Sequence, residues 1–210
     1  MIRQDFLASA RAAADLLRAP EVAAAWTAPS ALPEFSVRGL SGHLAFQILA
    51  VRQALADPIP EEETVDLSAH YDRAGWIDAS LDDPVNVRIR DGGEQVAADG
   101  AGALLETLDA AIEDLAKTLP EAPNRPVRLP FWGPWSVALD DLLVTRMMEV
   151  AVHNDDLAVS VGVPAPPLPG SAMEAVLDLL TRLAVRRHGA TEVMRALTRA
   201  ERAPANITAF

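Results

Sequence analysis

Glu149 and His153 stand four residues apart in Leu142-Leu-Val-Thr-Arg-Met-Met-Glu149-Val-Ala-Val-His153, a stretch apolar nearly all the way round. Read as a helix, that spacing projects both side chains from one face, and a helix so apolar is normally buried on most sides. A buried carboxylate is costly, by several kcal/mol, unless it is paired or coordinated. His43 is the second anomaly. It lies in Gly39-Leu-Ser-Gly42-His43-Leu-Ala, beside the apolar face of another helix. Gly39 and Gly42 each cost that helix roughly 1 kcal/mol relative to alanine, and in return they let another helix or a ligand approach closely. Two histidines and a glutamate on two facing helices form an open set of two nitrogens and one oxygen. Such a set suits Zn²⁺, with Ni²⁺ and Fe²⁺ as further fits, and leaves room for water or substrate. Asp156, one turn beyond His153, is placed to accept the free ring N–H. Two plainer readings use the same residues. The Glu149–His153 pair can be a simple hydrogen bond, and Arg146, facing near Glu149, can be its salt-bridge partner.

Four segments have the helical periodicity needed to position these groups. The first runs from about Ile2 to Arg18 with Phe6, Ala10, Ala13, Leu16 and Leu17 on one face, and Pro20 limits it. Beyond it, Trp26 suggests a short helical or packed extension. The second is capped by Ser36 and runs to about Ala56, with Leu40, Leu44, Ile48, Val51 and Leu55 inward. The third spans about Gly102 to Leu119 on Leu104, Leu105, Leu108, Ile112 and Leu115. The fourth, carrying Glu149 and His153, runs from about Val137 to Val161 and stops at Gly162 and Pro164. Asp57 to Gly100 reads as a long variable stretch with a short helix in Ser68–Ser80. A second element near Pro84 is equally readable as strand or helix. Pro120 to Pro134 is a proline-rich crossover. After the stiff segment Pro164-Ala-Pro-Pro-Leu-Pro169, two further helices are expected over Ser171–His188 and Thr191–Arg202. Amphipathic helices joined by crossovers make an all-α bundle the economical architecture. The domain expectation is a metal-binding bundle over 1–165 with a C-terminal helical extension, 166–210, packed on it.

Composition removes several alternatives. The chain has 210 residues, half of them hydrophobic, enough for one core without staples. Its 18 basic and 30 acidic residues give a formal charge of −12, which argues against nucleic acid and anionic membrane as partners. There is no cysteine, so disulfides and thiolate ligands are excluded and any sulfur chemistry must use a ligand's sulfur. The first helix lacks the apolar run of a signal peptide, and no 18-residue apolar run exists, so a cytoplasmic protein is expected. The basic residues are 17 arginines against Lys117 alone, beside 39 alanines and 16 prolines, which reads as the product of a GC-rich genome. Phosphate-loop, dinucleotide and serine-nucleophile motifs are missing.

The stretch Trp135-Ser-Val-Ala-Leu-Asp-Asp-Leu-Leu-Val-Thr-Arg-Met-Met-Glu149-Val-Ala-Val-His153-Asn-Asp-Asp156 resembles the fourth-helix signature of mycothiol-dependent maleylpyruvate isomerase N-terminal domains. Ser36-Val-Arg-Gly-Leu-Ser-Gly-His43-Leu is similar to their second-helix motif. The resemblance spans roughly residues 1 to 165. It implies a DinB-like four-helix bundle with long crossovers and a short C-terminal helical extension. It also implies a divalent metal, usually zinc, held by His43, Glu149 and His153. Such a metal would ionise the thiol of mycothiol for attack on an electrophilic substrate, giving isomerisation or S-transfer. Maleylpyruvate isomerase proper carries a further α/β domain that contributes to the active site. Here the corresponding region reads as two short helices, so arginine donors from that domain are not carried over.

Lesser expectations attach to other residues. Trp132 and Trp135, with Phe131, either wall a substrate pocket beside the metal or simply pack under the crossover. His70 is an extra ligand or, as favoured here, a surface or loop histidine. His188 suits a helix C-terminus, and Asp91-Gly92-Gly93 reads as a turn. Exposed apolar stripes on the C-terminal helices serve a homodimer or cover the bundle. Two other functions remain open on the same ligands: a non-catalytic bundle that binds a small ligand or partner protein, and metal-assisted hydrolysis.

Overall fold

The computed structural model describes residues 1–210. Four long helices form the bundle: α1 (Ile2–Leu17), α3 (Val37–Ala56), α6 (Ala101–Thr118) and α7 (Leu139–Val161), with a short α2 (Pro20–Ala24) after the first. Helix α7 packs on α1 and α3, and α6 closes the square against the same two helices. The core is built from the apolar stripes those periodicities predict. Phe6, Ala10 and Ala13 of α1, Leu40, Leu44, Ile48 and Val51 of α3, and Leu108 and Leu115 of α6 are fully buried. Leu55 and Leu105, at the margins of their stripes, are half-buried. Helix α7 is buried on most sides, from Leu139, Leu142 and Leu143 through Met147 and Val150 to Leu157. This is the expected all-α, DinB-like bundle.

The caps follow local chemistry. Ser36 Oγ accepts from the Gly39 N–H at the start of α3, satisfying one of the donors a helix start leaves open. At the other end of α7, Gly162 takes the left-handed conformation that closes a helix. The start of α7 differs from expectation by two residues. Val137–Ala138 form a short strand, β2, paired antiparallel with β1 (Pro126–Val127), so the helix begins only at Leu139. This small sheet pins the proline-rich crossover, and the Arg125 guanidinium reinforces it by donating to the carbonyls of Ala54, Leu55 and Asp57.

The long variable stretch holds two helices, α4 (Leu67–Asp72), capped by Asp66, and α5 (Pro84–Val96), capped by Asp83. The ambiguous Val85, Val87 and Ile89 are therefore helical, and Asp91-Gly92-Gly93 is not a turn but lies inside α5. The reason is close packing. Gly93 of α5 sits against Gly39 and Gly42 of α3, and a Cβ at Gly42 would overlap the Gly93 carbonyl. The other side of that contact is tied by Glu94, which pairs with Arg38 and accepts from the Ser36 hydroxyl. At the C-terminal end, α8 (Gly170–His188) packs on α7 and α1, and α9 (Ala190–Thr198) packs on α8. The last helix is shorter than expected, with a 3₁₀ turn over Ala200–Arg202. His188 does not merely end a helix, since its Nε2 meets the Thr208 carbonyl at 2.8 Å. No helix is long and apolar enough to cross a membrane.

Candidate metal centre

Because α3 and α7 are neighbours in the bundle, His43 meets Glu149 and His153. The three offer one donor atom each, and those atoms lie within 4.8 Å of one another. Glu149 Oε2 is 3.2 Å from His153 Nε2 and 3.8 Å from His43 Nε2. Donors at 2.0–2.2 Å from a tetrahedral centre are about 3.4 Å apart, so these two separations bracket what a zinc-like cation needs. The His43 and His153 rings stand edge to face, 4.7 Å between centroids.

Each ring has a second partner. His153 Nδ1 is 3.0 Å from Asp156 Oδ2, leaving Nε2 for Glu149. Gln47, one turn after His43, works on the other ring. Its Oε1 accepts from Arg146 at 2.6 Å, and since a guanidinium only donates, the amide nitrogen must face His43. That nitrogen is 3.2 Å from His43 Nε2 and also donates to the His43 carbonyl at 2.9 Å. Arg146 therefore does not form the expected salt bridge to Glu149. Its Nη1 is held by Gln47 and its Nε by Thr145 Oγ1, because Gln47, on the facing helix α3, offers its side-chain oxygen.

The electrostatics follow from burial among these partners. Burial opposes charge on Glu149, but the hydrogen bond from His153, the nearby His43 ring and the charge of Arg146 outweigh it, holding the carboxyl well below its usual range. Burial likewise works against a charged His153, yet hydrogen bonds to Asp156 and Glu149 raise it to about 9. His43 is pushed the other way: burial, helped by the charges of His153 and Arg146, outweighs the pull of Glu149 and lowers it. At neutral pH the cluster thus holds a carboxylate, an imidazolium clamped between two carboxylates, and a neutral imidazole.

The cluster opens into a cavity of about 800 Å³. Trp132, Trp135 and Phe131 line it, together with Phe35, Phe46 and Trp76. The tryptophans are therefore not confined to packing under the crossover. Four arginines (Arg73, Arg88, Arg90 and Arg146) line it against one carboxylate, Glu149, so an acidic chain encloses a cavity that favours anions. His70 is not a surface or loop residue. It lies in α4, is 5% exposed and lines the same cavity. Its neighbour Tyr71 is buried with an unpartnered hydroxyl. The sequence signal for both was the Asp66 cap, which starts a turn of helix just before them.

A helical bundle that gathers two histidines and a glutamate at the foot of an aromatic cavity presents a donor set of the kind that can hold a metal ion. The model of the mycothiol maleylpyruvate isomerase N-terminal domain matches residues 6–158, and the chain belongs to that family. A crystal structure of the mycothiol-dependent maleylpyruvate isomerase shares the fold, with a TM-score of 0.50 at 17% identity, over 88% of this chain and 68% of that one. No curated protein sequence matches this chain.

Proposed function

We propose that this chain is a divalent-metal-dependent, mycothiol-dependent isomerase or thiol S-transferase, with His43, Glu149 and His153 holding the metal. The observation that carries the reading is the convergence of the three donors within 4.8 Å at the edge of an aromatic cavity. Family membership supports the thiol. The donor set suits zinc, and also Ni²⁺ or Fe²⁺. A bound cation would supply one thing the cysteine-free chain lacks, a thiol ionised at neutral pH.

The protein's own residues account for the rest. Asp156 orients the His153 ring so that its Nε2 meets Glu149, and the Gln47 N–H holds His43 Nε2 as an unprotonated nitrogen 3.8 Å from the same carboxylate. Trp132, Trp135 and Phe131 offer flat apolar walls that exclude water from an electrophile. The arginines bias the cavity toward an electrophile bearing a carboxylate, which guanidinium groups bind as forks. The bundle over 1–165 would then hold the site, and the extension over 166–210 would brace α1 and α7 from outside.

Elemental analysis of tag-free protein tests the metal. About one Zn²⁺, Ni²⁺ or Fe²⁺ per chain is expected, lost in Glu149→Ala, followed by mycothiol-dependent conversion of a carboxylated electrophile, with the thiol regenerated by an isomerase and consumed by an S-transferase. A protein that takes up no metal even after reconstitution would leave Glu149 and His153 as a buried ion pair and overturn the enzyme reading.

A further inference from the structure

One ionisable side chain in the cavity is used neither by the metal-ligand set nor by the roles above. His70 Nδ1 lies 3.1 Å from the indole Nε1 of Trp135. An indole N–H can only donate, so Nδ1 is the acceptor and carries a lone pair. The single proton of the neutral ring is then on Nε2, which makes no hydrogen bond inside the protein. Packing holds the ring in that orientation, with the Trp132 centroid 4.4 Å away and Tyr71 edge-on at 5.1 Å. Burial, with the nearby charge of Arg146, lowers its pKa from 6.5 to about 4 against the pull of Glu149, so the ring is neutral at working pH. The same tautomer excludes His70 as a fourth metal ligand, because neither nitrogen has a free lone pair.

We propose that His70 is a catalytic hydrogen-bond donor whose Nε2–H binds the carbonyl oxygen of an α,β-unsaturated electrophile in this cavity. The proposal rests on the thiol-addition reading above. When the thiolate sulfur bonds to the β-carbon, the C=C electron pair moves to the adjacent C–C bond and the carbonyl pair moves onto oxygen. The thiol proton has by then left to solvent. His70 meets the enolate oxygen with a hydrogen bond and transfers no proton; the carbonyl re-forms as the α-carbon takes a proton back from solvent, giving the neutral thioether ketone. A neutral donor fits the place, since an imidazolium there would sit beside Arg146. Trp135 is the positioning residue that fixes the tautomer.

Two measurements decide it. In metal-free protein, the ¹⁵N spectrum of the His70 ring should show the Nε2–H tautomer from about pH 6 to 8, and its resonance should move on titrating benzylacetone, a saturated ketone that cannot accept a thiol. An Nδ1–H tautomer, an imidazolium, or a resonance unmoved by the ketone overturns the proposal. In metal-loaded protein with mycothiol, His70→Ala should lower kcat on benzylideneacetone by about 10²–10³-fold, the scale of one lost oxyanion donor. On phenethyl iodide, where no charge develops on oxygen, kcat should change by less than about threefold, the leeway left for altered cavity shape. His70→Gln, which keeps an N–H at similar reach, should recover part of the enone rate. Equal losses on both electrophiles would make His70 a wall residue and overturn the donor role. A wild type that turns over neither electrophile would defeat the thiol-transfer reading, while the ketone titration still judges His70.

Discussion

Adjacent glycines in α5 should respond to alanine with opposite signs. Gly92 and Gly93 are both inside the helix, where Gly→Ala gains about 0.5–1 kcal/mol from backbone entropy alone. At Gly92 nothing lies within 4 Å of where a Cβ would go, so that gain should appear in full. At Gly93 the new carbon would overlap the Gly39 carbonyl and come within 3.3 Å of the Cβ of His43. Helix backbone cannot yield as a flexible side chain would, so α5 must move off α3, an overpacking cost of about 1–3 kcal/mol. The overlap is with backbone, which puts the cost in the upper half of that range and leaves Gly93→Ala destabilised by about 1–2 kcal/mol. For a chain of this size each kcal/mol shifts the melting midpoint by about 2–4 °C. Thermal melts of metal-free protein should therefore place Gly92→Ala a degree or more above wild type and Gly93→Ala several degrees below it. Because the clash reaches His43, zinc affinity should fall only in the second variant. Two variants equally stabilised would refute the claim that α3 and α5 meet backbone to backbone, and with it the proposed wall of the cavity.

Asp156→Asn should weaken zinc binding by about 10–100-fold, the usual effect of losing a carboxylate behind a ligating imidazole, as read by competition with a chromogenic chelator; unchanged affinity would mean that Asp156 does not orient His153. His70 should also leave a mark on acid stability. The unfolded chain takes up this proton below about pH 6.5 and the folded protein only near pH 4, so its contribution is complete above pH 6.5 and declines as pH falls to 4. The interval of about 2.5 pH units corresponds to about 3 kcal/mol. Urea melts of metal-free wild type and His70→Gln should therefore converge by roughly that amount between pH 6.5 and 4, and parallel curves would show that the ring is protonated in the native state.

The sequence was most informative where periodicity and chemistry coincide. Ser36 to Ala56 and Leu139 to Val161 were legible because apolar stripes bounded by a serine cap, a glycine stop and prolines leave few alternatives. The His43–Glu149–His153 set was legible because charge on so apolar a helix demands a partner. Residues 57–100 were not, since the signal there is tertiary. Gly93 reads locally as a turn residue, and only the facing Gly39 and Gly42 explain a glycine inside α5. Arg146 misled for a related reason. Helical spacing put it near Glu149, but it could not disclose that Gln47, ninety-nine positions away, would take its Nη1.

That contact has a consequence for the site's charge balance. Arg146 stays close enough to Glu149 to favour its ionisation, yet its Nε and Nη1 donate to Thr145 and Gln47 rather than to Glu149. A direct bidentate pair would occupy the carboxylate oxygens and tie up the acceptor a cation needs. Holding the guanidinium one residue back separates the two effects. Its field keeps Glu149 anionic, while Gln47 accepts from its Nη1 and presents an N–H to His43 Nε2, fixing that nitrogen as the unprotonated one. Replacing Gln47 by leucine should therefore be worse for metal binding than for folding of α3. Arg146, no longer anchored through Nη1, would be drawn onto Glu149 and compete with the metal for the same oxygen.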